Sequence, residues 1–301
     1  MPNYSQVSLD LQGLAKRVYD NLYYNSTFAN FLNEDYIGEI RQAGTPMIEV
    51  LKQNAPSVSL RSDANTQEIS SALTPSLLTY SSVKVDLTDL RMNYSFRIPV
   101  LVMGAGVQNA IGDAIRQKDS EVAKKVDTYG YSMLATAITG DRTSSKTAKD
   151  TGSTFTWTST SYIGNINTLK ATLFNLDVNG DYRLGLRATE YANLVASLTS
   201  VLKFETLAGT SGVDRGIIAN AYGVAIFPIN DNYLTEGVDG YFASPIGVVG
   251  DLFFDTMVEY NGNYPGFPGY YCLEGNIMFG AKVVRPECVI KLVEPATTSA
   301  E

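Results

Sequence analysis

Residues 107–138 read VQNAIGDAIRQKDSEVAKKVDTYGYSMLATAI, and the spacing within that stretch decides the fold. Val107, Ile111, Ile115, Val122, Val126, Tyr129, Met133 and Ala137 recur in steps of three, four or seven, with Lys118 in the one missing slot. That is the spacing of one helix face. Some thirty residues of helix make a rod of roughly 45 Å, whereas a compact globule of this length is only about 50 Å across. The spacing therefore predicts a spine that crosses the whole molecule. Such a spine suits a flat or elongated building block, and it points to assembly before catalysis.

Composition removes most catalytic chemistry. The 301 residues contain no histidine, so the commonest general base, the commonest metal ligand and the Ser-His-Asp and Cys-His systems are all absent. What remains would need paired carboxylates, lysine or tyrosine, and none has a recognisable spacing. No catalytic residue, cofactor site or metal site is assigned, and the chain is not expected to be an enzyme. Cys272 and Cys288 have no CxxC partner and read as reduced structural thiols. A content of 45% hydrophobic residues gives ample core material. No run of eighteen apolar residues occurs, and residues 1–10 lack a signal-peptide pattern, so the expectation is a protein kept in a cytoplasm with no membrane partner. A formal charge of −8 argues against a dedicated nucleic-acid-binding surface.

Outward from the spine, residues 1–37 read as a helical arm whose apolar stripe, Leu11, Leu14, Val18, Leu22, Phe28, Phe31 and Leu32, packs on its own domain or on a neighbour. Residues 83–98 alternate, slip at Thr88-Asp89, and resume, which reads as a β-bulge within one very long strand. Counted from Leu77, that strand spans roughly 65 Å. Residues 39–52 are its expected antiparallel partner, and residues 53–74 the polar tip of the ribbon. Residues 140–161 read as a solvated connector. Helical and strand-like pieces then alternate: 163–176 and 189–202 helical, 215–229 strand-like. Residues 261–269 form an aromatic, turn-rich loop, and residues 276–293 are strand-like with an interruption at Pro286.

Three motifs invite a functional reading. Gly104-Ala105-Gly106 follows a strand and opens a helix, as in a dinucleotide-binding turn, but Asn109 stands where the third glycine belongs and no acidic strand end follows. Asp177-Val178-Asn179-Gly180-Asp181 opens like a calcium loop, yet Tyr182 and Ala188 occupy the positions of the obligatory glycine and glutamate. The rings of residues 260–271 could stack on a sugar or form a subunit contact.

Taken in order, these pieces resemble the major capsid proteins of tailed bacteriophages, the Hong Kong 97-type shell fold. Residues 28–36 (FANFLNEDY) look like the family's arm, and residues 38–45 (GEIRQAGT) like the approach to its extended loop. Residues 176–183 and then 189–194 are similar to its axial-domain turn, strand and helix. Residues 216–224 and 229–232 are like its later axial strand, and residues 283–287 (VVRPE) like its closing segment. The resemblance implies an α+β chain divided into an N-terminal arm (1–37), an extended β-ribbon loop (38–100), a peripheral domain with the spine helix (101–160), a mixed α/β axial domain (161–275) and a C-terminal strand returning to the peripheral domain (276–301).

It further implies self-assembly into hexamers and pentamers of an icosahedral head, assembled in a bacterial cytoplasm around double-stranded DNA that an acidic wall encloses without gripping. Some members carry a long N-terminal scaffolding extension, and none is expected before the arm here, which implies either a separate scaffolding protein or a processed or self-sufficient shell; a portal and a decoration protein are the other implied partners. Expected subunit contacts are Lys52, Arg61, Asp63 and Glu68 at the ribbon tip, and Tyr260, Tyr264, Phe267 and Tyr270 near a local symmetry axis. Alternatives left open are an encapsulin-like nanocompartment shell, a nucleotide-dependent enzyme built on residues 104–112, and a sugar-binding tail or adhesion protein.

Overall fold

The spine forms as one unbroken helix, α1, Val107–Ala137, of 31 residues. The computed structural model that contains it describes residues 16, 20–21, 25–36, 46–53, 80–99, 107–140, 152–159, 161–178, 180–201, 219–221 and 223–295. The face it buries departs from the expected one in two places. Asp119, not Lys118, fills the middle slot; it is buried and accepts hydrogen bonds from the Tyr94 hydroxyl at 2.8 Å and the Asn21 amide at 2.6 Å. Toward the C-terminus Tyr131, Leu134 and Ile138 are closed off, while Tyr129, Met133 and Ala137 are only partly covered. The buried stripe widens because the helix is packed on two sides there: Tyr129 meets Phe279 edge-on at 5.9 Å, and Tyr131 stacks on Tyr241 at 6.0 Å.

Before the spine lie four short strands: β1 (Met47–Gln53), β2 (Tyr80–Asp86), β3 (Leu90–Asn93) and β4 (Phe96–Pro99). The single long strand expected over residues 77–98 is thus divided. At the slip, Asp86 Oδ1 accepts from both the amide and the hydroxyl of Thr88 at 2.8 Å, which is an Asx turn and not a bulge. β1 and β2 pair antiparallel, from Met47 opposite Asp86 to Gln53 opposite Tyr80.

The longest ribbon lies elsewhere. After the spine come β5 (Ser153–Thr156), α2 (Tyr162–Asn175), β6 (Tyr182–Arg187), α3 (Ala188–Val201), β7 (Ala219–Ala221), β8 (Val224–Ile229), β9 (Val238–Ala243), β10 (Val248–Tyr264), β11 (Phe267–Val283) and β12 (Val289–Val293). β10 and β11 have 17 residues each and form one antiparallel hairpin, about 55 Å long at 3.3 Å per residue. The expected aromatic loop is its tip, where Pro265-Gly266 makes the turn with Gly266 at φ +85°, the Pro-Gly arrangement of a type II turn. β3 and β4 add to the free edge of β11.

One face of this sheet, with Tyr271, Leu273, Ile277 and Phe279, packs on the spine in the larger core. The other face is covered near the base of the hairpin by the β1–β2 ribbon, through Ile48, Val50, Val85 and Leu87 against Val249 and Val284. There a Cβ on Gly280 would collide with the Asp86 carbonyl, so the ribbon lies directly on the sheet backbone.

The second unit is a six-stranded sheet in the order β5-β12-β9-β6-β8-β7, with α2 and α3 closing a separate core around Trp157, Leu169, Leu173, Leu184 and Leu292. β12 lies between β5 and β9 in this sheet, and the boundary expected at residues 275–276 falls inside β11. The Lys291 ammonium donates to the Ile138 carbonyl at 2.8 Å, a cation placed where the spine's terminal carbonyls are unsatisfied.

A 3₁₀ turn, Phe28–Phe31, wedges the two units together. Phe28 meets Tyr131 and Phe279 edge-on, while Phe31 meets Tyr131 and Phe227 of β8. Asp127 of the spine holds the wedge: its carboxylate accepts from Ser26 Oγ at 2.5 Å, the Phe28 amide at 2.9 Å, and the Thr27 hydroxyl and amide at 3.2 and 3.3 Å.

The calcium-like residues 177–181 follow the end of α2. Val178 donates to the Leu173 carbonyl and Asp177 to that of Phe174, both at 3.0 Å, and Asp177 sits at φ +60°. This is a Schellman cap, with Val178 and Leu173 making its apolar contact.

Two outcomes are expected. Gly130 faces the Phe28 ring so closely that a Cβ would overlap it, while Gly112 in the same helix faces open space. Gly130→Ala should therefore cost about 1–3 kcal/mol and Gly112→Ala should stabilise by up to about 1 kcal/mol, read as opposite shifts of the urea midpoint. Asp177→Gly should stabilise by up to about 1 kcal/mol by removing a side chain from the left-handed region, and added calcium should leave the melting temperature of the wild type unchanged.

Candidate assembly surfaces

Among the described residues no group of three or more Cys, Asp and Glu side chains could hold a metal ion. Cys272 and Cys288 are free and buried, and burial pushes the Cys272 thiol up, away from the reactive thiolate. Gly104, Ala105 and Gly106 lie outside the described residues, but the segment after them stays helical to Ala137, leaving no room for the acidic strand end of a dinucleotide site. No described helix is long and apolar enough to cross a membrane.

A strongly raised carboxyl group lies at one end of the six-stranded sheet. Asp239 at the start of β9 is pushed up to about 6, by burial first, then by Glu294 and Glu190, against the pull of Arg187. Arg187 Nε is 3.7 Å from the Asp239 carboxylate, and an Arg187 terminal nitrogen donates to the Val238 carbonyl at 2.9 Å and lies 3.9 Å from Glu294. Glu190 accepts from Trp157 Nε1 at 3.1 Å and the Tyr162 hydroxyl at 3.3 Å. The group ties strand ends together.

The exposed apolar residues mark other surfaces. On the β1–β2 ribbon, Ile48 and Val50 face inward, whereas Met47 and Leu51 stand out at 39% and 64% exposure. Lys52 belongs to β1, opposite Ser81; Arg61, Asp63 and Glu68 lie outside the described residues. The hairpin gathers the four aromatic residues expected as contacts into one distal region, with Tyr260 opposite Cys272, Tyr264 opposite Phe267, and Tyr270 opposite Pro99 of β4. Phe267 is 39% exposed and Val258 46%.

Reading the sequence missed Arg97, which joins this region from β4 with its guanidinium carbon 4.1 Å from the Phe267 ring centre and 5.9 Å from that of Tyr270. Asp119 and Asp127 were missed as well. Their signal was a pair of acids eight residues apart, Asp119 on the slot next to Lys118 and both on the apolar side of a predicted helix.

The raised Asp239 carboxyl fixes the sign of a pH effect. A group whose carboxyl is raised on folding favours the folded state fully below about pH 4, and that contribution is lost as pH rises toward 6. Asp239→Asn should thus improve the urea midpoint, relative to wild type, more at pH 7 than at pH 4. An equal or larger gain at pH 4 would refute the assignment.

No family model and no curated protein sequence matches the chain. Solved structures do. The capsid of Ralstonia phage GP4 aligns with TM-score 0.59 at 10% identity, over 92% of this chain and 93% of that one. The protein of Mycobacterium phage Che8 aligns at 0.56 and 18% identity, over 89% and 90%. A virus-like particle from Pyrococcus furiosus aligns at 0.50 and 10% identity, over 94% of this chain and all of that one. With a long spine, a 3₁₀ wedge packed against it, a hairpin sheet and a second mixed sheet, this chain has the α+β fold of phage capsid proteins, the Hong Kong 97-type shell fold that its sequence resembles.

Proposed function

We propose that the chain is the structural subunit of an icosahedral phage head, assembling as hexamers and pentamers around double-stranded DNA in a host bacterial cytoplasm and residing in the virion capsid. The observation that carries this reading is fold similarity to capsid structures along nearly the full length of both partners. An added domain would have left one side of those alignments uncovered. The surfaces agree with it: exposed apolar residues lie on two separate sheets, the β1–β2 ribbon and the long hairpin, and a subunit that tiles needs contacts in more than one direction. Division into arm, ribbon, peripheral domain, axial domain and closing strand belongs to the same proposal, as do contacts through Lys52 and the hairpin tip, and a separate scaffolding protein, portal and decoration protein as partners. A net charge of −8 suits a wall that encloses DNA without specific binding.

A second reading is a protein-filled nanocompartment, a shell of the same fold; the virus-like particle from Pyrococcus furiosus, whose subunit is covered in full, shows that the fold also closes into particles described otherwise than as phage capsids. Negative-stain electron microscopy with sedimentation velocity of the purified protein tests both. Rings of five or six subunits that stay open without a further protein are expected for a head subunit, and uniform closed shells from this chain alone would favour the compartment. A monomer at every concentration would overturn both.

A further inference from the structure

We propose that the distal face of the long hairpin, where Arg97, Val258 and Phe267 are exposed, is a docking site for a carboxylate side chain of a second copy of this chain, with Arg97 as the group that receives it. The proposal rests on the shell reading and names the chemistry of one of its contacts. Strand pairing puts Arg97 opposite Cys272, and Cys272 opposite Tyr260, so all three share one face, with Val258 two residues before Tyr260 and Tyr270 two before Cys272. This is the face that the β1–β2 ribbon covers nearer the hairpin base.

Three features make it a docking site. The guanidinium is exposed and already stacked, 4.1 Å from the centre of Phe267, with Tyr270 set edge-on to Phe267 at 6.2 Å. Among the described residues Arg97 makes no ion pair or hydrogen bond, whereas Arg183 and Arg187 are both engaged. Its donor fork is therefore pre-oriented with little rotamer freedom left to lose, as bidentate carboxylate binding requires. Beside it opens a groove of about 400 Å³ lined by Asn93, Ser95, Phe96, Leu273 and Glu274, with room for an incoming side chain. An arginine held among aromatic rings is also the usual make-up of an interface hot spot once a partner covers it.

Charge identifies the occupant. The chain has 31 acidic residues against 23 basic ones, so other copies present mainly carboxylates. Glu274 in the groove is tolerable to a single carboxylate held by Arg97 but sets the site against the dense charge of a nucleic-acid backbone.

The test compares wild type, Arg97→Ala and Arg97→Lys, with thermal melting to show that each folds. Arg97→Ala is expected to raise the protein concentration needed for rings or shells at least about tenfold, with Arg97→Lys in between. In assembled Arg97→Lys, carbodiimide treatment should couple the new amine to an Asp or Glu of another copy, recognised by mass spectrometry after mixing ¹⁵N-labelled and unlabelled subunits. Unchanged assembly of Arg97→Ala, coupling only within one chain such as to Glu274, or an effect confined to DNA retention would each overturn the docking site while leaving the shell reading intact. A wild type that never assembles overturns both.

Discussion

A carboxylate buried in the middle of the spine gathers four hydrogen bonds from residues 26–28, and the joint between the two sheets depends on it. Taking a carboxylate out of water is costly unless donors replace the water, and burial does push the Asp127 carboxyl above its ordinary range. The donors offset that cost, and two of them are backbone amides that would otherwise be orphaned where the chain enters its 3₁₀ turn. Deleting either side would leave the other buried and unsatisfied. The wedge is thus placed by polar groups and stabilised by apolar ones: Asp127 sets where residues 26–28 lie, and Phe28 and Phe31 then fill the gap between the spine, the hairpin sheet and β8. Arg183 extends the arrangement from β6, donating to the Asn30 carbonyl and pairing with Glu34 at 3.2 Å.

The length of the spine explains the length of the hairpin. An apolar stripe running along about 46 Å of helix must be covered along its whole length, and a strand of ordinary length would cover less than half of it. β10 and β11 supply about 55 Å. A two-stranded ribbon that long is weak alone, and it gains support from the spine on one face, the β1–β2 ribbon on part of the other, and β3 and β4 along one edge. Among the described residues the β1–β2 ribbon reaches only the base of the second face, and Val258 and Phe267 farther out are exposed.

The spine was legible because a 3.6-residue period sustained over thirty residues has no competing explanation. The partner of the ribbon loop was legible for a similar reason, since alternation over residues 83–87 demanded a second strand. Residues 248–264 were not, because Phe253-Phe254 and the register shift between Phe254 and Met257 break the two-residue period, and the Tyr/Pro/Gly tip reads as a loop when its flanks are unrecognised. The slip at residues 88–89 was visible but ambiguous: alternation shows where a strand loses phase, while an Asx turn and a bulge differ only in where the Asp86 side chain points. Arg97 could not be singled out, because its meaning comes from Phe267, 170 positions away in sequence and brought alongside by β4–β11 pairing.

The distribution of exposed apolar surface bears on how such a subunit stays soluble before it assembles. Large contiguous patches on a free chain invite non-specific association, and here the outward apolar residues are split between Met47 and Leu51 on the ribbon, Phe174 at the end of α2, Ile246 within the Pro245–Gly247 turn, and Val258 and Phe267 on the hairpin. Each is too small to hold a partner alone. On the shell reading that weakness is useful, because a contact that is marginal singly becomes strong when a closed lattice makes every subunit engage several at once, and a misplaced subunit held by only one of them can still dissociate.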